Sequence, residues 1–146
     1  IPVYYNQLPG WHGGKYVDLL QTPLFAFGEG LSYTSFAYSN LRVDADTRVV
    51  SVSLQNTGNR TGAETAQVYL RDRVSSVLTP VKRLVAFEKV CLAAGETREL
   101  VFSLTHEDFS LVLPNERRVV EPGEFVIFVG GSSKDEDLLS ETIFVD

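Results

Sequence analysis

Methionine is absent from the 146 residues, and cysteine and tryptophan occur once each, as Cys91 and Trp11. A single cysteine cannot close an internal disulfide, so core packing alone must hold the fold. A chain of this length can bury enough apolar surface for that. A translated chain begins with methionine and this one opens on Ile1, so the sequence is read as a piece of a longer or processed polypeptide. The opening also lacks a signal peptide's charged start and apolar stretch, and is silent on export. No apolar run approaches the roughly 18–20 residues that cross a bilayer, and no membrane partner is expected. Positive charge is short as well: 13 Lys and Arg stand against 19 Asp and Glu, a net charge of −6. That argues against a nucleic-acid partner, because little here would displace counterions from a polyanion.

What remains is ordinary globular composition, 44% hydrophobic and 22% charged. From about Val49 onward the chain alternates. Val50, Val52 and Leu54 interleave with Ser51, Ser53 and Gln55, the period of a half-buried strand. The run from Asn56 to Gly62 is a turn cluster whose glycines and asparagines tolerate positive φ. Ala66, Val68 and Leu70 then alternate with Gln67, Tyr69 and Arg71. A mixed strand runs from Lys82 to Leu92, and Leu100, Phe102 and Leu104 make a further apolar row with Arg98 at its rim. Thr105 and Asp108 suit the cap of a short helical corner, and a hairpin is expected around Pro114-Asn115. Glu121-Pro122-Gly123-Glu124 has Pro and Gly in the order of a type II turn. Phe125, Ile127 and Val129 form one strand, Thr142 to Val145 the last, and residues 132–139 a polar connection.

With the segment from Phe36 to Val43, these give about seven strands at roughly 8–12-residue spacing, the pattern of an all-β immunoglobulin or fibronectin type III-like sandwich. Paired cysteines flanking a tryptophan are missing, which excludes an antibody-type domain. Residues 1–35 differ: they are rich in aromatics, Gly and Pro but show little alternation. Aromatics bury large areas when they dock, so this irregular N-terminal strap is expected to pack, either on its own sandwich or on a neighbour. The domain division is therefore 1–35, strap, and 36–146, sandwich. Two functional readings follow for the aromatics, interdomain docking or platforms for sugar rings. Docking is favoured because they are spread along an irregular segment, and the candidate residues are Trp11, Tyr16, Phe25, Phe27 and Tyr33.

Catalytic and ligand-binding signals are sparse. His12 and His106 have no HxH, HExxH or Cys/His company, so no metal is expected. Cys91, between Val90 and Leu92, reads as a buried, inert thiol. No Gly-x-Ser-x-Gly elbow is present. The densest carboxylates, Asp44 with Asp46 and Asp135-Glu136-Asp137, fall in loops, and the latter read as a solvated charge cluster. Asn59-Arg60-Thr61 fits an N-glycosylation sequon on a turn. Gly28 and Gly30 are no phosphate loop, since no helix follows; they let the strap bend. No cofactor and no catalytic residue is assigned.

The run Pro23-Leu24-Phe25-Ala26-Phe27-Gly28-Glu29-Gly30-Leu31-Ser32-Tyr33-Thr34-Ser35-Phe36 closely resembles the segment leading into the C-terminal fibronectin type III-like domain of glycoside hydrolase family 3 enzymes, in particular bacterial-type β-glucosidases. The likeness continues through Gln67-Val68-Tyr69-Leu70-Arg71-Asp72, Pro80-Val81-Lys82-Arg83-Leu84, Glu121-Pro122-Gly123-Glu124-Phe125 and Val129-Gly130-Gly131-Ser132-Ser133. Upstream, Ile1-Pro2-Val3-Tyr4-Tyr5-Asn6 is similar to the end of the family's preceding α/β domain. Ala26 and Glu29 stand where family members often carry proline and tyrosine. The family's catalytic aspartate and glutamate belong to upstream domains and have no counterpart here. The resemblance implies a retaining β-glucosidase parent acting through paired carboxylates, with this piece its non-catalytic module. The implied partners are the catalytic domains of the same polypeptide, with a homo-oligomer of the parent as a further assembly. A stand-alone carbohydrate-binding or adhesion module is the alternative.

Overall fold

Alternation in the sequence becomes two apolar faces turned toward each other in the computed structural model, which describes residues 23–146. Strand β1 (Phe36–Asp44), β2 (Val49–Asn56) and β5 (Thr97–Ser103) form one antiparallel sheet in the order β1-β2-β5. The second sheet has the order β4-β3-β8-β9, from β3 (Gly62–Asp72), β4 (Arg83–Leu92), β8 (Gly123–Gly130) and β9 (Leu139–Val145). These three and four strands are the seven of the expected sandwich. A small hairpin, β6 (Leu111–Val112) with β7 (Arg118–Val119), is added at one end, where the Pro114-Asn115 turn was expected.

The core lies between the sheets. Val50, Val52 and Leu54 of β2 and Leu100 and Phe102 of β5 meet Ala66, Val68 and Leu70 of β3 and Phe125, Ile127 and Val129 of β8. Each set occupies every second position, because successive strand side chains leave on opposite faces. The corner between β5 and β6 closes one end. Its 3-10 turn, His106–Phe109, buries Phe109 edge-on against Phe125, with centroids 5.2 Å apart at 82°. Asp108 answers Thr105 there, accepting its N–H at 2.7 Å and its hydroxyl at 2.8 Å.

Three local expectations change. No residue of 56–62 or 121–124 has positive φ. The first turn is instead held from within by Asn56, whose Oδ1 accepts the Gly58 N–H at 3.1 Å while its Nδ2 donates to the Arg60 carbonyl at 2.7 Å. Gly123 is not the third residue of a type II turn because it already pairs with Val145 as the first residue of β8. The left-handed conformation goes elsewhere: Asn40 (φ 53°) marks a register shift in β1 between Ser39 and Arg42. Finally, β9 begins at Leu139, three residues before the expected Thr142, and a 3-10 turn (Asp135–Asp137) interrupts the polar connection.

The largest departure concerns β3. Ala66, Gln67, Val68, Tyr69 and Leu70 are all buried. Gln67 and Tyr69 were expected on a solvent face, but the strap and the 132–138 segment cover it.

Candidate functional site

The strap is described from residue 23. Phe25, Phe27, Leu24 and Leu31 are exposed, and Tyr33 retains 95% of its surface. Trp11, Tyr16 and His12 lie outside the described residues. Although its aromatics face outward, the strap backbone is fixed to the sandwich. Glu29 folds back on Ala26: its carboxylate accepts the Ala26 N–H at 2.8 Å and its own N–H donates to the Ala26 carbonyl at 3.1 Å. Glu29, one of the two departures from the family pattern, thus closes a tight turn. Gly28 at its centre has φ 79° and lies so close to β3 that a Cβ would stand 2.0 Å from Oε1 of Gln67. Glycine is the residue that meets both conditions. Further along, the Thr34 hydroxyl donates to Asn56 Oδ1 at 2.7 Å, and Thr57 donates its N–H to the Ser35 carbonyl at 2.8 Å.

Under the turn lies a polar layer on the outer face of the second sheet. The Tyr69 hydroxyl donates to Gln67 Oε1 at 2.5 Å. Gln67 Nε2 donates to the carbonyls of Gly28 at 3.1 Å and Gly131 at 2.6 Å. Lys82, just before β4, is only 6% exposed. Its Nζ donates to the Ser133 carbonyl and to Asp135 Oδ1, each at 2.5 Å, and lies 6.0 and 5.6 Å from the ring centroids of Tyr69 and Phe128. A buried ammonium needs such partners, because an unpaired charge in a dry site is strongly unfavourable.

Beside the turn the strap borders an open groove of about 890 Å³. Tyr38 of β1 and Glu64 of β3 meet there, the tyrosine hydroxyl donating to Glu64 Oε1 at 3.0 Å. Burial raises the Tyr38 pKa above its ordinary value, with the Glu64 charge acting in the same direction. Burial also raises Glu64, partly offset by the Tyr38 hydrogen bond. Glu64 shares the lining of this groove with Glu29, Glu136 and Asp137, and its own hydrogen-bond partner is the tyrosine. The groove is a polar, open recess between the strap, β1 and β3.

The other residues singled out in the sequence are scattered. Cys91 is exposed, not buried: Val90 and Leu92 point into the core, so the residue between them must point out. Asp44 caps its own turn, accepting the N–H groups of Asp46 and Thr47 at 2.9 and 3.0 Å, and the Thr47 bond first of all holds its carboxyl below the usual range. Asp135 is exposed as a solvated acid would be, yet it also completes the Lys82 site. Asn59 is exposed in the turn before β3, and His106 is exposed at the β5–β6 corner. Among the described residues no group of three or more His, Cys, Asp or Glu is placed to hold a metal. Sequence reasoning missed Lys82, Asn56 and the Tyr38–Glu64 pair. The run from Ala66 to Leu70 gave no warning, since Gln67 and Tyr69 keep the alternation of a half-buried strand although both faces are covered.

Residues 64–133 match the family described as fibronectin type III-like domain. The chain is 40% identical to a β-xylosidase of Formosa agariphila over 99% of its own length and 21% of that protein. It is 36% identical to the periplasmic β-glucosidase of Salmonella typhimurium, across 91% of this chain and 20% of the relative. A solved β-glucosidase involved in saponin metabolism from intestinal bacteria superposes with a TM-score of 0.89 at 42% identity, covering 98% of this chain and 20% of that one. The chain thus spans about a fifth of the length of the relatives it matches. With its three-plus-four-stranded sandwich and its Phe-Gly-Glu-Gly strap, the chain belongs to the fibronectin type III-like domains of glycoside hydrolase family 3 proteins.

Proposed function

We propose that this chain is the non-catalytic accessory domain of a family 3 glycosidase, a retaining β-glucosidase in the first instance, and that it braces the catalytic domains of the same polypeptide through its strap. The carrying observation is the contrast within the strap: its backbone is bonded to the sandwich at Phe27, Gly28 and Ser35, with the Thr34 hydroxyl adding a side-chain bond, while Phe25, Phe27 and Tyr33 stay exposed. Apolar surface so held out of the domain's own core is surface suited to a neighbour. A length near one fifth of the relatives supplies that neighbour, the remainder of the same polypeptide. Trp11 and Tyr16 extend the docking set on the sequence side, and 35/36 remains the proposed boundary between strap and sandwich. Assembly of the parent into a homo-oligomer is compatible with the other exposed apolar residues, such as Phe87 and Phe144.

The test uses the whole polypeptide. Wild type is expected to unfold with its catalytic and accessory parts coupled in one calorimetric transition. The double variant Phe25→Asp/Tyr33→Asp is expected to separate them into two. An unchanged single transition overturns docking through these residues. Turnover of a chromogenic β-glucoside by the isolated chain overturns the non-catalytic assignment.

A further inference from the structure

We propose that Lys82, Tyr69 and Gln67 form a clamp that sets the conformation of the strap turn at residues 26–29, so that the docking surface is preformed by this outer polar layer and not by the sandwich interior. The purpose of the clamp rests on the docking reading; its existence does not.

The clamp has two limbs that end on consecutive strap carbonyls. In the first, Lys82 Nζ holds the Ser133 carbonyl at 2.5 Å, and the N–H of the same Ser133 donates to the Phe27 carbonyl at 2.8 Å. Ser133 is thereby gripped on one side and grips the strap on the other. In the second, the Tyr69 hydroxyl occupies Gln67 Oε1 at 2.5 Å, which fixes the orientation of the amide and turns Nε2 toward the Gly131 and Gly28 carbonyls. The limbs adjoin, since the Lys82 ammonium lies at the edge of cation–π range, 6.0 Å from the Tyr69 ring centroid. Gly28 supplies an independent sign of design at the point of convergence: its positive φ aims the carbonyl at Gln67, and its missing Cβ leaves the side-chain amide its space.

None of the three residues faces the interior core. Gln67 and Tyr69 alternate with Ala66, Val68 and Leu70, which do. The sandwich can therefore keep its core while the clamp opens. Opening would release the backbone that carries Phe25 and Phe27, and a surface that must first be ordered binds its partner more weakly than one already in place.

The experiment is residue-resolved hydrogen exchange on the intact polypeptide carrying Lys82→Met, which keeps the buried stem and removes the ammonium. The Ser133 amide is expected to exchange about tenfold faster or more, with the Val52 and Leu100 amides unchanged. An unaltered Ser133 rate overturns the clamp. If Lys82→Met accelerates the core amides as well, Tyr69→Phe decides: it keeps the ring and removes only the hydroxyl. Local acceleration near residues 28 and 131–133 then supports the clamp, and none overturns it. A clamp confirmed in this way while Phe25→Asp/Tyr33→Asp leaves unfolding coupled would sink the docking reading and leave the clamp standing. The converse pair of results would sink the clamp alone.

Discussion

Tyr38 and Glu64 come from different sheets and meet at 3.0 Å, so their hydrogen bond ties the two layers of the sandwich along the wall of the groove. Tyr38 is the donor, which makes the bond compatible with either charge state of Glu64. Burial nonetheless holds the Glu64 pKa above the usual value of 4.5. The folded protein therefore binds a proton that the unfolded chain has released. Stability from this site is fully present below about pH 4.5 and is lost as pH rises through the raised folded value. Glu64→Gln keeps an acceptor for Tyr38 and cannot ionise. Its stability relative to wild type is expected to increase as pH climbs from 4.5 toward neutrality, in urea titrations at several pH values. A constant difference across that range would show that Glu64 is not perturbed.

Asn56 gives the second prediction. It is fully buried, and its amide serves three segments: it accepts from Thr34 of the strap and Gly58 of the turn, and donates to the carbonyls of Arg60 and Leu92. Asn56→Leu keeps the branched heavy-atom skeleton, with bulkier methyl groups, and strands these groups in a site that water does not reach. The expected loss is about 3 kcal/mol, above the median for point substitutions. It should lower the denaturant midpoint with little change in slope. A loss below about 0.5 kcal/mol would mean that the turn closes without it.

Asn56 also marks the boundary of what the sequence discloses. The sandwich was legible because period-2 apolar rows such as Val50, Val52 and Leu54 have one physical solution, a strand with one face in a core. The strap was legible as a segment apart, aromatic and without strand periodicity, but the fastening of its backbone to the sandwich at Phe27, Gly28 and Ser35 was not. The polar layer was not legible. Whether Gln67 and Tyr69 face water depends on whether another segment lies over them, and that is a tertiary fact; strand alternation reports only one face at a time. Lys82 reads as a solvent residue by type, and only the positions of Ser133 and Asp135, some fifty residues later, make its burial tolerable. Turn chemistry failed for a different reason. Gly58 and Gly123 permit positive φ, but permission is not use: Asn56 closes one turn by its side chain, and strand pairing with Val145 extends the other.

Cys91 tests the strand register directly. Its neighbours Val90 and Leu92 are buried and it is exposed, so β4 must present the thiol outward. Native protein is expected to react with one equivalent of a disulfide reagent such as Ellman's at a rate near that of the unfolded chain. Protection by a hundredfold or more would place the thiol inside, and with it a one-residue slip of β4 against β3.

Three glycines separate conformation from space. Gly30 has neither positive φ nor any atom near a prospective Cβ, so Gly30→Ala is expected to be neutral within about 0.5 kcal/mol. Gly95 has φ 76° in open space, and Gly95→Ala carries the left-handed penalty alone, about 1–2 kcal/mol. Gly28 combines φ 79° with a Cβ position 2.0 Å from Gln67 Oε1. The side-chain amide cannot retreat without leaving Tyr69, Gly131 and Gly28 itself, so Gly28→Ala should exceed Gly95→Ala in cost and also unfasten the strap. Thermal melts of the three variants give the order, and the Ser133 amide gives the location: it should lose protection in Gly28→Ala and keep it in Gly95→Ala. Equal effects of the two substitutions would show that the strap turn does not bear on Gln67, because backbone strain is common to both and only the collision distinguishes them.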